Sequence, residues 1–148
     1  MLGRAVSVPS PTLLMRCLLS FVVVAFVIVA PDVVGAPVLT PRIVEIQMTE
    51  FAFRPAVIQL DAGRPVRLVF INRGQIAHQF ESAYLRGLPL TIIDDALHVE
   101  TRGLDLIRLD PAKSARVEFL PRQRGRFSFA CTIEGHQEAG MRGTIDVR

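Results

Sequence analysis

The chain has 148 residues, enough for one domain with its own hydrophobic core and a leader, and this length leaves no need for a second domain. Seventeen Lys and Arg against fourteen Asp and Glu give a net charge of +3, and from Pro37 onward fifteen against thirteen give +2. Because nucleic-acid binding depends on a strongly basic surface, this near balance argues against a nucleic-acid partner.

The first 36 residues differ in composition from the rest. Arg4 and Arg16 precede an apolar run over residues 17–30, which is short for a membrane span and typical of the hydrophobic region of a signal peptide. Small residues at 34–36 fit a signal-peptidase site. We therefore expect residues 1–36 to be removed or, if they stay uncut, to anchor the domain to a membrane. Either outcome places the domain in the periplasm or another extracytoplasmic space.

Beyond the leader, residues 37–42 form a predicted proline-containing linker and residues 43–148 form the predicted domain. Alternating apolar and polar residues, bounded by turn residues, predict strands at 43–48, 57–60, 66–72, 104–109, 115–120, 126–131 and 143–147. Residues 50–55 read as a turn with two aromatic residues that cap one end of the core. Between residues 81 and 105 a short helix and an irregular excursion both fit. Short strands about ten residues apart favour an all-β, antiparallel β-sandwich.

The loop before the last predicted strand carries three possible metal ligands. Cys131, His136 and Met141 follow the spacing Cys-x4-His-x4-Met, and a thiolate, an imidazole and a thioether together suit copper better than magnesium or calcium. A second imidazole would complete a trigonal plane of two His and one Cys, with Met141 as a weak axial ligand. His78 is the candidate for that second imidazole.

Cys131 is the only cysteine beyond the leader, because Cys17 lies within it. It therefore has no partner for an internal disulfide. In an oxidising compartment a free thiol is protected only by burial or by a metal. The His and Met that follow it favour the metal.

Several features share one order along the chain: a strand ending in Asn72 that leads to His78, the aromatic pattern of residues 127–131, and the loop with Cys131, His136 and Met141 before a final strand. In this order they resemble the cupredoxins, the blue copper family that includes plastocyanin, azurin, auracyanin and rusticyanin. The resemblance covers nearly all of residues 43–148. The spacing of the loop is similar to that of the longer-loop auracyanins and rusticyanins.

This resemblance implies a Greek-key β-sandwich with one type 1 copper ion at one end, held by His78, Cys131, His136 and Met141. Many members place Asn directly after the first His, where it is tied to a Ser or Thr after the Cys. Here Gln79 and Thr132 occupy those positions. The corresponding bond is therefore left open.

The complete donor set favours an extracytoplasmic carrier that passes single electrons between redox partners. A copper delivery or storage protein, with the metal as cargo, is the alternative. An enzyme is not expected, because multicopper oxidases and nitrite reductases need further His clusters and this chain has three histidines in all. His98 has no metal-binding context and reads as a surface residue rather than an auxiliary metal site.

A monomer is expected, with a redox partner that docks near His136. Small and apolar residues, among them Ile133 and Ala139, flank that imidazole in the sequence and would let a partner approach closely. A membrane contact is expected only if the leader is retained as an anchor.

Overall fold

The computed structural model describes residues 39–94 and 97–148, so the predicted leader and the start of the linker lie outside the described residues. The described part contains one short 3-10 turn, Leu85–Gly87, and these strands: β1 Arg42–Thr49, β2 Ala52–Arg54, β3 Val57–Leu60, β4 Val66–Asn72, β5 His78–Glu81, β6 Pro89–Ile93, β7 His98–Arg102, β8 Leu106–Leu109, β9 Ser114–Phe119, β10 Gly125–Ala130 and β11 Arg142–Val147. Within these residues, no helix has the length and apolar character needed to span a membrane.

The strands form two sheets. The larger sheet has the order β2-β1-β4-β9-β6-β7, and the smaller has the order β3-β11-β10-β5-β8. The predicted all-β sandwich is confirmed, but the sheets are mixed rather than purely antiparallel, because β1 pairs with β4 and β3 pairs with β11 in parallel. Parallel neighbours need a crossover connection. Between β1 and β4 the chain supplies it by crossing to the other sheet as β3.

The predicted strands at 57–60 and 66–72 coincide with β3 and β4, and the other predicted strands differ from the observed ones by one or two residues at one or both ends. In the segment from 81 to 105, about half of the described residues lie in strands. The segment holds the 3-10 turn and the hairpin β6–β7, which lengthens the larger sheet. Strand β7 lies at the sheet edge, with alternate residues exposed and only half-buried. Its sequence therefore lacks the clear apolar alternation that marks a buried strand.

The core between the sheets includes a group of four aromatic rings. Phe80 stacks on Phe129 with ring centroids 4.7 Å apart, and Phe53 meets Phe129 edge-on at 5.1 Å. Phe70 lies 4.7 Å from Phe80. Each fully buried ring of this kind contributes about 1.5–3 kcal/mol of burial free energy. Because residues two apart on a strand point to the same face, Phe80 and Phe129 share a face with His78 and Cys131 respectively. The aromatic group thus supports the end of the sandwich where these two residues lie.

Candidate metal centre

Three neighbouring strands of the smaller sheet bring the predicted ligands to one edge. His78 is the first residue of β5, Cys131 directly follows β10, and Met141 directly precedes β11. Strand β10 is antiparallel to both neighbours. The C-terminal end of β10 and the N-terminal ends of β5 and β11 therefore lie side by side at one end of the sandwich. Residues that are more than fifty positions apart become adjacent for this reason.

The potential ligand atoms of His78, Cys131 and His136 all lie within 4.8 Å of one another, close enough to hold one metal ion. The Cys131 Sγ is 3.3 Å from His136 Nδ1, and the two imidazole centroids are 5.3 Å apart. His78 and Cys131 are fully buried, and His136 is 6% exposed. The three side chains thus form a closed group with one imidazole edge near the surface.

His78 provides a test of whether a metal fits this group. Both of its ring nitrogens are buried and have no hydrogen-bond partner among the described residues. Buried polar atoms are nearly always paired, and leaving one unpaired costs about 1–3 kcal/mol. A metal ion bound at one of these nitrogens would remove the cost for that nitrogen, and the thiolate and imidazole donors nearby suit copper.

The electrostatics of the group favour the neutral, metal-binding form of His78. Burial lowers the pKa of His78 below its ordinary value of 6.5, the proximity of His136 lowers it further, and Glu50 opposes both effects. A neutral imidazole keeps a free lone pair for a metal.

Met141 is fully buried and is fixed beside the group by its backbone. Its N–H donates to the His136 carbonyl at 3.0 Å, and its carbonyl accepts from the Cys131 N–H at 3.0 Å. These two bonds close the loop from Cys131 to Met141 on itself. Ligation by Met141, and by the other three residues, stays a prediction.

A hydrogen bond between Gln79 and Thr132, which the sequence alone did not establish, is present. Thr132 Oγ1 donates to Gln79 Oε1 at 2.8 Å, so Gln and Thr link the two ligand loops. In addition, the Gln79 N–H donates to the Cys131 Sγ at 3.3 Å. Such a bond stabilises the negative charge of a thiolate, the form of cysteine that binds metals.

Asn72 is a structural residue of the site whose side-chain role the sequence reasoning missed. Its buried side chain donates to the carbonyls of Ile76 and Leu109, at 2.8 and 2.9 Å, and accepts from the Gly74 N–H at 2.8 Å. It therefore shapes the loop that delivers His78. An Asn at a strand end with a Gly two residues later is a known turn signal and could have indicated this role.

The predicted turn at residues 50–55 contains the short strand β2, and its two aromatic residues differ in role. Phe53 is buried in the core, as expected for a cap. Phe51 is 45% exposed and meets the His136 ring edge-on, with centroids 5.3 Å apart. His98 is exposed on β7, in the other sheet, and is not part of the metal-binding group in the described residues.

Comparisons with known proteins agree with this geometry. A family model described as a cupredoxin-like domain matches residues 18–147. A copper-resistant cuproprotein CopI from Rubrivivax gelatinosus is 32% identical over 113 residues, which are 72% of this chain and 67% of the relative. Among solved structures, auracyanin B aligns with a TM-score of 0.52 and 26% identity over 74% of this chain and 91% of its own.

The fold also occurs within larger proteins. A multi-copper oxidase from Pseudomonas thermotolerans aligns with a TM-score of 0.59 over 82% of this chain and 33% of its own, at 17% identity, a level that shows a shared fold alone. The β-sandwich, the group of metal-binding side chains and the match to the family model agree. The chain therefore belongs to the cupredoxin family, and its cofactor is copper.

Proposed function

We propose that this protein carries single electrons between redox partners through one copper ion held by His78, Cys131, His136 and Met141. The observation that supports this function best is the burial of all four residues, with only the edge of His136 close to solvent. Bound copper supplies a centre that accepts and releases one electron. A closed donor group suits a metal that stays in place while its charge changes.

Neighbouring residues hold the donors in place through hydrogen bonds. The Thr132–Gln79 bond links the two ligand loops, and Asn72 fixes the loop that leads to His78. Donors held by their neighbours need little movement when the metal changes valence, which favours fast electron transfer.

The surface beside His136 supports docking of a partner protein. Phe51 and Ile76 are 45% and 44% exposed, and Ala139 and Gly140 are exposed as well. A surface with apolar and small residues of this kind lets another protein approach the imidazole edge closely. The partner we propose is therefore a redox protein that contacts this area.

Absorption and redox measurements on the copper-loaded protein test this function. We expect a strong visible band from sulfur-to-copper charge transfer in the oxidised protein, lost on reduction and restored on oxidation. Copper content measured after repeated cycles should be unchanged. A colourless oxidised protein, or loss of copper on reduction, would contradict the proposal.

A copper-handling role is the second candidate, and one specific observation favours it. The relative from Rubrivivax gelatinosus is described as copper-resistant, so this chain could serve copper tolerance with the metal as cargo. A cargo site has to release its metal, which a closed donor group hinders. Incubation of the copper-loaded protein with a Cu(I) chelator, followed by gel filtration, separates the two roles: a carrier keeps its copper for hours, and a cargo protein loses it within minutes.

A carrier rather than an enzyme is also part of the proposal. The chain has three histidines, and two of them belong to the group already described, which leaves His98 alone for any further centre. We further propose that the domain is extracytoplasmic, on the basis of the leader-like composition of residues 1–36, and that it is a monomer. Cell fractionation, intact-mass measurement and light scattering test location, leader removal and oligomeric state.

A further inference from the structure

The turn between β1 and β2 contacts both imidazoles of the site with two consecutive residues. Glu50 Oε1 lies 4.0 Å from His78 Nε2, and the ring of Phe51 meets the ring of His136. We propose that Glu50 is a positioning residue: its carboxylate acts on Nε2 of His78 and so orients the imidazole with its other nitrogen towards copper. This inference rests on His78 being a copper ligand. It is independent of whether the copper is an electron carrier or cargo.

The carboxylate of Glu50 is held in a defined position although its side chain is 43% exposed. Its Oε1 accepts a hydrogen bond from the backbone N–H of Gln75, in the loop that leads to His78. This bond is also the main reason that the pKa of Glu50 lies below its ordinary value. The β1–β2 turn and the ligand loop are thus connected through this one oxygen.

Gly74 provides the space in which the carboxylate and the imidazole face each other. A Cβ at this buried position would lie 2.6 Å from Glu50 Oε1 and 2.7 Å from His78 Nε2. Both distances are too short for real contacts. Only glycine therefore allows Glu50 and His78 to approach each other here.

The chemistry of a metal-bound imidazole explains what Glu50 does. A carboxylate next to one ring nitrogen favours the tautomer with the proton on that nitrogen, which leaves the other nitrogen free for the metal. In the part of the chain that the structure describes, His78 Nε2 has no hydrogen-bond partner. A separation of 4.0 Å is longer than a hydrogen bond, and a small movement of the partly exposed Glu50 side chain closes it.

The backbone of the turn is consistent with a functional role. Phe51 has a φ of 61°, in the left-handed region that an aromatic residue seldom adopts. Such conformations persist where the surrounding structure enforces them, and they are common at functional sites. In this conformation Phe51 packs against His136 while its neighbour faces His78.

The test compares Glu50→Gln with Glu45→Gln, a matched control. Glu45 is exposed on β1, five residues before Glu50, and its carboxylate bonds only to the Gln47 side chain among the described contacts. Its substitution therefore removes one nearby negative charge without touching His78. Cu(II) affinity is measured by competition with a chelator of known strength, and the reduction potential by redox titration. Thermal unfolding of the metal-free proteins checks that both variants fold.

We expect Glu50→Gln to weaken Cu(II) binding about 10-fold, the lower end of the effect seen when a residue behind a metal ligand is replaced. Its reduction potential should rise, because the lost carboxylate favours the more positively charged Cu(II). Glu50→Asp should restore part of both effects. If Glu50→Gln matches Glu45→Gln in affinity and potential, the proposal is wrong. The variant His78→Ala tests separately whether His78 is a copper ligand. Copper binding at wild-type affinity in that variant would overturn the ligand assignment itself.

Discussion

The two loops that bring ligands to the copper end differ in what holds them. The loop over residues 131–141 carries three of the four predicted ligands and is closed by its own backbone, from Cys131 to Met141 and from Met141 to His136. The loop over residues 73–77 delivers only His78 and is held by side chains, locally by Asn72 directly before it and from a distant turn by Glu50. The first loop is closed by bonds within itself, and the second depends in addition on a tertiary contact.

The largest expected effect concerns the donor at the start of the self-contained loop. Cys131→Ser removes the thiolate, so we expect complete loss of the visible charge-transfer band and at least a 100-fold loss of copper affinity. Absorption spectroscopy and chelator competition measure both. Thr132→Ser is the matched control, since it keeps the hydroxyl that bonds to Gln79 and should keep the colour. A coloured Cys131→Ser protein would refute the type 1 site.

The loop over residues 73–77 should be sensitive to substitution of Asn72. Asn72→Ala leaves two carbonyls and one N–H without their partner in a buried position, and we expect the free energy of unfolding of the metal-free protein to fall by about 3 kcal/mol. Urea unfolding measures this. Gln75→Ala, at an exposed position of the same loop, should change it by about 0.5 kcal/mol or less. Equal effects of the two substitutions would mean that Asn72 does not hold the loop.

A smaller effect is expected from substitution of Gly74, where Glu50 faces His78. Gly74→Ala introduces a methyl group between Glu50 and His78, and we expect copper affinity to fall about 10-fold as the imidazole is displaced. Gly87→Ala is the control, because a Cβ there meets no atom within 4 Å. Chelator competition on both variants is the measurement. Unchanged affinity in Gly74→Ala would show that the loop yields without moving the ligand.

The smallest effect on binding should come from the axial position of the self-contained loop. Met141→Gln should keep the colour, while the reduction potential falls because an oxygen donor favours Cu(II) more than a thioether does. Redox titration and metal analysis check this outcome. Loss of all copper would mean that the axial assignment of Met141 is wrong.

The strands that were predicted well are those with one fully buried face. In β4, alternate residues from Val66 to Asn72 are buried, and the pattern is plain in the sequence. The hairpin β6–β7 escaped prediction because its edge strand buries little and because β6 begins with Pro89. The parallel pairing of β1 with β4 was missed as well, since alternation within a strand carries no information about its neighbour.

By itself the sequence determined the donor types, their order and the spacing of the 131–141 loop, because these are local properties of residues whose chemistry suits copper. It also determined an all-β core, since alternation of period two is local. Only the tertiary structure decided that Glu50 faces His78 across Gly74, that Phe51 packs on His136, and that Gln79 bonds to Thr132. These contacts join segments far apart in the chain, and their partners are fixed by how the two sheets pair and pack.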